Sequence, residues 1–155
     1  MTDPAAGSDP DDIRNWRRRS DRITTSGRLE PHDPARLAKI GVKHVINLAL
    51  DNHPEALPDE REALAEHGIG YTHIPVPFDA PKQEHVAAMR AALEAADGPV
   101  HVHCIMNYRV TAFFYLLDRE DGISEAEARA RMTQVWDPLS SDEPASQPWK
   151  ALLSR

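Results

Sequence analysis

Apolar positions along the chain fall into two alternating rhythms. Short runs rich in Val and Ile, bounded by Gly, Pro or Asp, alternate with longer segments whose apolar residues recur at three- to four-residue spacing. These are the patterns of strands and of amphipathic helices. Ile23-Thr24-Thr25 is a short β-like run stopped by Ser26-Gly27. Asp33-Pro34 reads as an N-cap followed by proline at the first helical position, predicting a helix from Pro34 to Ile40 that ends at Gly41. Val42 to Leu50 contains a near-continuous apolar run, as in a strand buried on both faces. Pro58 to His67 is helical in pattern. Tyr71 to Val76 is the next strand, with Pro75 marking an edge or a strand end because proline cannot donate to the ladder. Lys82 to Ala96 is an amphipathic helix carrying Val86, Met89 and Leu93. Val100 to His103 is a strand running straight into Cys104, and Arg109 to Arg119 is the helix beyond it. Ser124 and Glu127 form a capping-box pattern for a helix reaching about Trp136, and a short helix is predicted near Trp149. Strands alternating with helices predict an α/β protein of three layers, a mostly parallel central sheet flanked by helices.

Composition narrows this picture. The 155 residues suit one domain. Residues 1–12, rich in Pro, Asp, Gly and Ser, are expected to be a disordered arm, and residues 13–155 a single domain onto which Ile13 and Trp16 anchor a turn of helix. Lys and Arg number 18 against 25 Asp and Glu, a net charge of −7, which argues against a nucleic-acid partner. Arg17, Arg18 and Arg19 are the only basic run and read as a solvated face. Cys104 is the only cysteine, so no intrachain disulfide forms and a reducing compartment fits. The N-terminal stretch has no apolar core, so it does not read as a signal peptide. No apolar run approaches the roughly 20 residues of a membrane span. A cytoplasmic protein with no membrane partner is the expectation.

The candidate chemistry lies in Val100 to Ala112, VHVHCIMNYRVTA. A strand ends at a cysteine, and a short loop leads through an arginine into a helix. Ligands of open α/β sheets bind outside the carboxyl ends of the strands, which is where Cys104 falls. The backbone N–H groups of such a loop (Ile105, Met106, Asn107, Tyr108) and the positive end of the helix form a nest for anions. A cysteine there has its thiolate favoured over its thiol. Arg109 can grip an oxyanion with its planar fork. Thr111, on the first helical turn, is expected to bond the thiolate or assist its departure. The set describes a nucleophile beside an oxyanion cradle. His101 and His103 alternate along the strand and share one face; hydrogen-bonded core histidines are the simplest reading, since their spacing with Cys104 fits no common zinc pattern. No metal and no organic cofactor is expected. Trp16, Trp136 and Trp149 read as packing anchors.

The loop resembles the His-Cys-x-x-Gly-x-x-Arg-Ser/Thr signature of cysteine-dependent protein tyrosine and dual-specificity phosphatases. More closely, the chain is similar to a family of bacterial phosphatases related to the N-terminal parts of β-lactamase-hydrolase-like proteins. The similar stretches are Arg22 to Leu29, Val42 to Leu48, His73 to Pro81 and His101 to Phe114, in matching order. The resemblance implies the dual-specificity phosphatase fold, a phosphorylated substrate, Cys104 as nucleophile, Arg109 as clamp and His103 as support for the thiolate. It places Asn107 where the phosphatases have their loop glycine; Asn is the next-best residue after Gly for positive φ. Asp79, in the loop after strand Tyr71 to Val76, matches the position of the general acid. One departure is visible. Four residues separate Cys104 from Arg109, where the phosphatase signature has five. That spacing resembles single-domain rhodaneses, which carry sulfur on the cysteine as a persulfide. Phosphoester hydrolysis, sulfur transfer to a sulfur-containing substrate, and oxyanion binding without turnover therefore all stay open at this point.

Overall fold

A computed structural model describes residues 8–154. Five strands form one sheet: β1 (Arg17–Arg18), β2 (Ile23–Ser26), β3 (His44–Asn47), β4 (Gly70–His73) and β5 (Val100–His103), in the order β1-β2-β5-β3-β4. β1 pairs antiparallel with β2, and every other neighbour is parallel. The helices are α1 (Asp33–Lys39), α2 (Glu60–Ala65), α3 (Gln83–Ala95), α4 (Tyr108–Glu120), α5 (Glu125–Met132) and α6 (Gln147–Leu153), with 3₁₀ turns at Pro138–Ser140 and Pro144–Ser146.

The two faces of the sheet bury different clusters. Alternate residues of a strand point to opposite faces, and Val45 and Ile46, both fully buried, enter separate cores. Val45 packs with Ile13, Trp16, Leu37, Leu64 and Ile69 beneath α1 and α2. Ile46 joins Val100, Val102, Met89, Phe113 and Trp149 beneath α3, α4 and α6. The expected three layers follow from this division. Register then sets the site. Ser26, His103 and Asn47 stand side by side at the carboxyl ends of β2, β5 and β3, with His73 next to Asn47. Cys104 is the first residue beyond that row.

Several local expectations are corrected. Asp33 is not the N-cap of α1; it lies in the first turn, where its carboxylate accepts from the N–H of Glu30 (2.8 Å), and His32 takes the cap position without a side-chain bond. α2 is shorter than the Pro58–His67 pattern, because Asp59 adopts a left-handed conformation (φ 53°) before it. Ser124 does cap α5, accepting from the N–H of Glu127 (3.1 Å), but the Glu127 carboxylate turns to Arg131. α5 stops at Met132 rather than near Trp136, which instead lies flat on Tyr108. Strand β1 has no apolar pattern and no counterpart in the sequence reading. Ile13 and Trp16 are buried but sit in turns, not a helix. Of the arm expected at residues 1–12, residues 1–7 lie outside the described residues. Asp9 bonds Trp16 and Arg18, and Asp12 pairs with Arg36. Among the described residues no helix is long and apolar enough to cross a membrane.

Candidate functional site

A cavity of about 420 Å³ opens at the carboxyl ends of the strands. Cys104, Ile105, Met106, Tyr108 and Arg109 line one side; Leu50, Asn52, His53, Pro54 and Phe78 line the other. Cys104 is fully buried where it meets the cavity.

The loop between Cys104 and α4 is shaped by one residue. Asn107 precedes the helix with φ 68°, a left-handed conformation that Asn tolerates better than most L-residues. Its side chain is completely buried; its amide N–H groups donate to the Asn15 carbonyl (2.8 Å) and the Thr25 hydroxyl (3.0 Å). The loop carbonyls are all occupied. The N–H of Arg28 takes Ile105 O (2.9 Å), the Asn15 side-chain amide takes Met106 O (2.8 Å), and Thr111 takes Asn107 O through its N–H (3.1 Å) and hydroxyl (2.9 Å). The loop N–H groups are not: those of Ile105, Met106, Asn107 and Tyr108 find no acceptor among the described residues. Consecutive free amides at a helix start are the components of an anion nest.

Arg109 is buried and divided between two tasks. Nη1 donates to the Val76 carbonyl (2.8 Å), which pins the side chain to the segment after β4. Nε is buried and finds no partner among the described residues. An unpaired buried donor is costly unless a ligand takes it up, and Arg109 Nε is such a donor beside the loop.

Beneath the loop, the two β5 histidines differ in their partners and in the direction in which the fold shifts their pKa. Ser26 donates its hydroxyl proton to Gly27 O (2.8 Å), so it must accept from His101 Nε2 (2.8 Å), leaving Nδ1 to accept from the Thr24 hydroxyl (2.8 Å). His101 is satisfied as a neutral ring. Burial, together with the neighbouring His103, holds its pKa well below the ordinary value. His103 faces two acceptors, Glu60 Oε2 at 2.6 Å from Nε2 and the Cys104 carbonyl at 3.1 Å from Nδ1. Only the doubly protonated ring donates to both. Burial opposes that charge, but the carboxylate of Glu60 and these hydrogen bonds outweigh it and raise the His103 pKa. The two rings stack with centroids 6.2 Å apart, and Trp16 stacks on His101 at 5.0 Å. Among the described residues no cluster of His, Cys, Asp and Glu could hold a metal ion.

Two expected participants stand elsewhere. The Thr111 hydroxyl donates back to the carbonyls of Asn107 and Tyr108, as helical threonines commonly do. It faces a separate pocket with Thr25 and Arg17, so it does not bond the thiolate. Asp79 is exposed in a turn beside Phe78 and does not line the cavity. The rim Leu50 to Pro54 has no counterpart among the expected site residues; its signal is its position directly after a buried strand. Trp136 and Trp149, expected as packing anchors, do pack, and they do so next to the cavity: Trp149 Nε1 donates to Phe78 O (2.8 Å) and Trp136 stacks on Tyr108 at 4.6 Å.

A family model for the phosphatase-like domain of β-lactamase hydrolase-like proteins matches residues 15–118. The chain belongs to that family. The match spans the elements from β1 through most of α4, including both walls of the cavity, and leaves α5, α6 and the two tryptophans next to the cavity beyond it. The phosphatase-like domain is 28% identical over 106 residues to the Beta-lactamase hydrolase-like protein of Agrobacterium fabrum (strain C58 / ATCC 33970). That stretch is 66% of this chain but 25% of that protein, so the domain spans about a quarter of its relative's length. A crystal structure of a "Putative phosphatase (DUF442)" from Shewanella putrefaciens CN-32 is 33% identical, with a TM-score of 0.77 over 93% of this chain and 91% of that one. TpbA of P. aeruginosa, 22% identical, shares the fold with a TM-score of 0.70 over 97% of this chain and 90% of its own. The phosphatase-like domain therefore has the tyrosine and dual-specificity phosphatase fold.

Proposed function

We propose that this phosphatase-like domain hydrolyses phosphomonoesters through a cysteinyl-phosphate. The observation that carries the reading is the coincidence of Cys104 and Arg109 at one cavity, joined by a loop whose backbone amides, like Arg109 Nε, find no acceptor among the described residues. Three phosphoryl oxygens would occupy those donors. Cys104 Sγ attacks phosphorus, the S–P bond forms and the P–O bond to the leaving group breaks. A general acid protonates the departing oxygen, and water then attacks phosphorus, returning the thiolate and releasing phosphate. Asp79 is the acid in this reading, and the role requires its exposed turn beside Phe78 to bring the carboxyl to a cavity that it does not line in the structure described. His53 offers a second donor: its Nδ1 accepts from the Glu55 N–H (3.0 Å), which leaves Nε2 to carry the ring proton. A phosphorylated substrate is the partner, consistent with TpbA having been crystallised with pTyr. The single cysteine fits residence in the reducing cytoplasm.

The spacing of four residues between Cys104 and Arg109 keeps sulfur transfer as a second reading. The cavity supports the first more, because an apolar-walled volume of about 420 Å³ exceeds what a single sulfur atom needs. Intact-protein mass spectrometry after brief incubation with an aryl phosphate, and separately with thiosulfate, divides them. A phosphoryl adduct present in wild type and missing in Cys104→Ser is the expected result. A gain of one sulfur atom instead moves the domain to the sulfurtransferases. Asp79→Asn should lower turnover of esters with poor leaving groups by roughly 10²–10⁴-fold and spare activated aryl phosphates. If His53→Gln does so instead, the acid is His53.

A further inference from the structure

The oxyanion loop is held from behind by a segment with no chemistry of its own, Arg14-Asn15. We propose that Asn15 is a positioning residue that turns the loop amides toward the cavity. The inference rests on the phosphatase reading above and adds a residue to it.

Asn15 exchanges hydrogen bonds with the Met106-Asn107 pair, 91 and 92 residues away in sequence: Asn107 Nδ2 donates to Asn15 O and Asn15 Nδ2 donates to Met106 O, both at 2.8 Å. Each of the two has a positive φ, 51° for Asn15 and 68° for Asn107. Two left-handed residues docked on each other hold both backbones in sparsely populated conformations, which persist only where the surroundings fix them. The consequence for the loop is directional. A peptide plane has its C=O and N–H on opposite edges. Drawing Met106 O outward onto Asn15 turns the following amide, that of Asn107, inward. Arg28 does the same at Ile105 O, turning the amide of Met106 inward. The backing is closely packed. Gly27 donates to Arg14 O (2.6 Å), and a side chain at Gly27 would collide with the Ile105 carbonyl. Arg14 also reaches the sulfur of Met106 (3.3 Å) and the carboxylate of Glu55 (3.2 Å), which lies two residues past His53 on the opposite rim. One short segment thus contacts the loop at Met106 and pairs with Glu55, just past the opposite rim.

Binding of tungstate, an unreactive oxyanion, tests the assignment by calorimetry. Asn15→Asp keeps the size and the tolerance for positive φ but sets a carboxylate oxygen against Met106 O. Asn15→Gly keeps the backbone and removes the side chain, and it carries the test where Asn15→Asp fails to fold. Both are expected to weaken tungstate binding about tenfold, the consequence of losing roughly one hydrogen bond's worth of loop order. Both should also raise KM for an aryl phosphate more than they lower kcat. Ser124→Ala, which destabilises α5 far from the loop, should lower Tm and leave tungstate affinity unchanged. Wild-type tungstate affinity in both Asn15 variants overturns the role of Asn15 and leaves the nest standing. Failure of the wild-type protein to bind tungstate overturns the nest and this assignment together.

Discussion

On the face covered by α3, α4 and α6, the strands contribute Ile46, Val100 and Val102 to an apolar core closed by Phe113 and Trp149. On the opposite face β5 contributes His101 and His103, which meet Thr24, Ser26 and Glu60 in a buried polar network. Cys104 follows the last residue of the same strand. The first face resembles the interior of any α/β protein and supplies stability by removing apolar area from water. The second buries charge, which contributes little net stability at best, but it fixes the base of the loop from which Cys104 projects. The pairing of a stabilising face with a costly one is what a preorganised site requires.

The largest expected effect lies on the apolar face. Phe113→Ala should cost about 3–5 kcal/mol, because the ring is fully buried against Trp149 (centroids 5.7 Å apart) and its removal leaves a void. Thermal or urea unfolding measures this, and a loss under about 1 kcal/mol would contradict the assignment of stability to that face. On the polar side Glu60→Gln should cost less, about 1–3 kcal/mol, and should change the pH dependence rather than only the midpoint. The sign follows from the direction of the shift. The His103 pKa is raised on folding, so its pairing stabilises fully below the ordinary value of 6.5 and that contribution fades as pH rises through the folded-state pKa. His101 has the opposite sign. Its depressed pKa gives a contribution present above 6.5 and lost as pH falls below it. The Tm difference between wild type and Glu60→Gln should thus be widest in mild acid and narrow toward alkaline pH; a gap that widens with pH would exclude the imidazolium. Trp149→Phe keeps the apolar ring but removes the bond to Phe78 O. About 1 kcal/mol of stability should go, with turnover falling more for esters of poor leaving groups, since Asp79 follows Phe78. Smallest of all, Arg90→Ala removes exposed ion pairs to Glu120 and Asp121 and should change stability by less than about 1 kcal/mol, an effect that salt erases.

What the sequence discloses and what it hides divide along range. Val100 to Glu120 is legible because its strand, left-handed turn and helix are written in consecutive residues, and Asn107 announces the turn by its residue type. α3 is legible because Val86, Met89 and Leu93 repeat at helical spacing and are all buried. The errors lie where a partner is far away or where two local partners compete. Asn15 has no visible role until Met106, 91 residues on, is beside it. β1 is only Arg17–Arg18, recognisable as a strand through Thr25 and Thr24 opposite. Thr111 has the right offset from Cys104, but its hydroxyl finds nearer acceptors in its own helix. Asp79 lies in the expected loop; its exposure outside the cavity lining is a property of the turn, which residue type does not encode, and its role as the acid stays a proposal.

The edges of the sheet carry a consequence for how this domain keeps company with its neighbours. An open sheet offers its outer strands as templates to any passing extended chain. Here one border is β1, two residues long with both arginines exposed, and the other is β4, four residues long and followed at once by Ile74-Pro75. Neither border has the length to recruit a strand, and positive charge guards one while a missing donor guards the other. Such a domain can be tethered at high local concentration inside a longer polypeptide without its sheet fusing to the next fold.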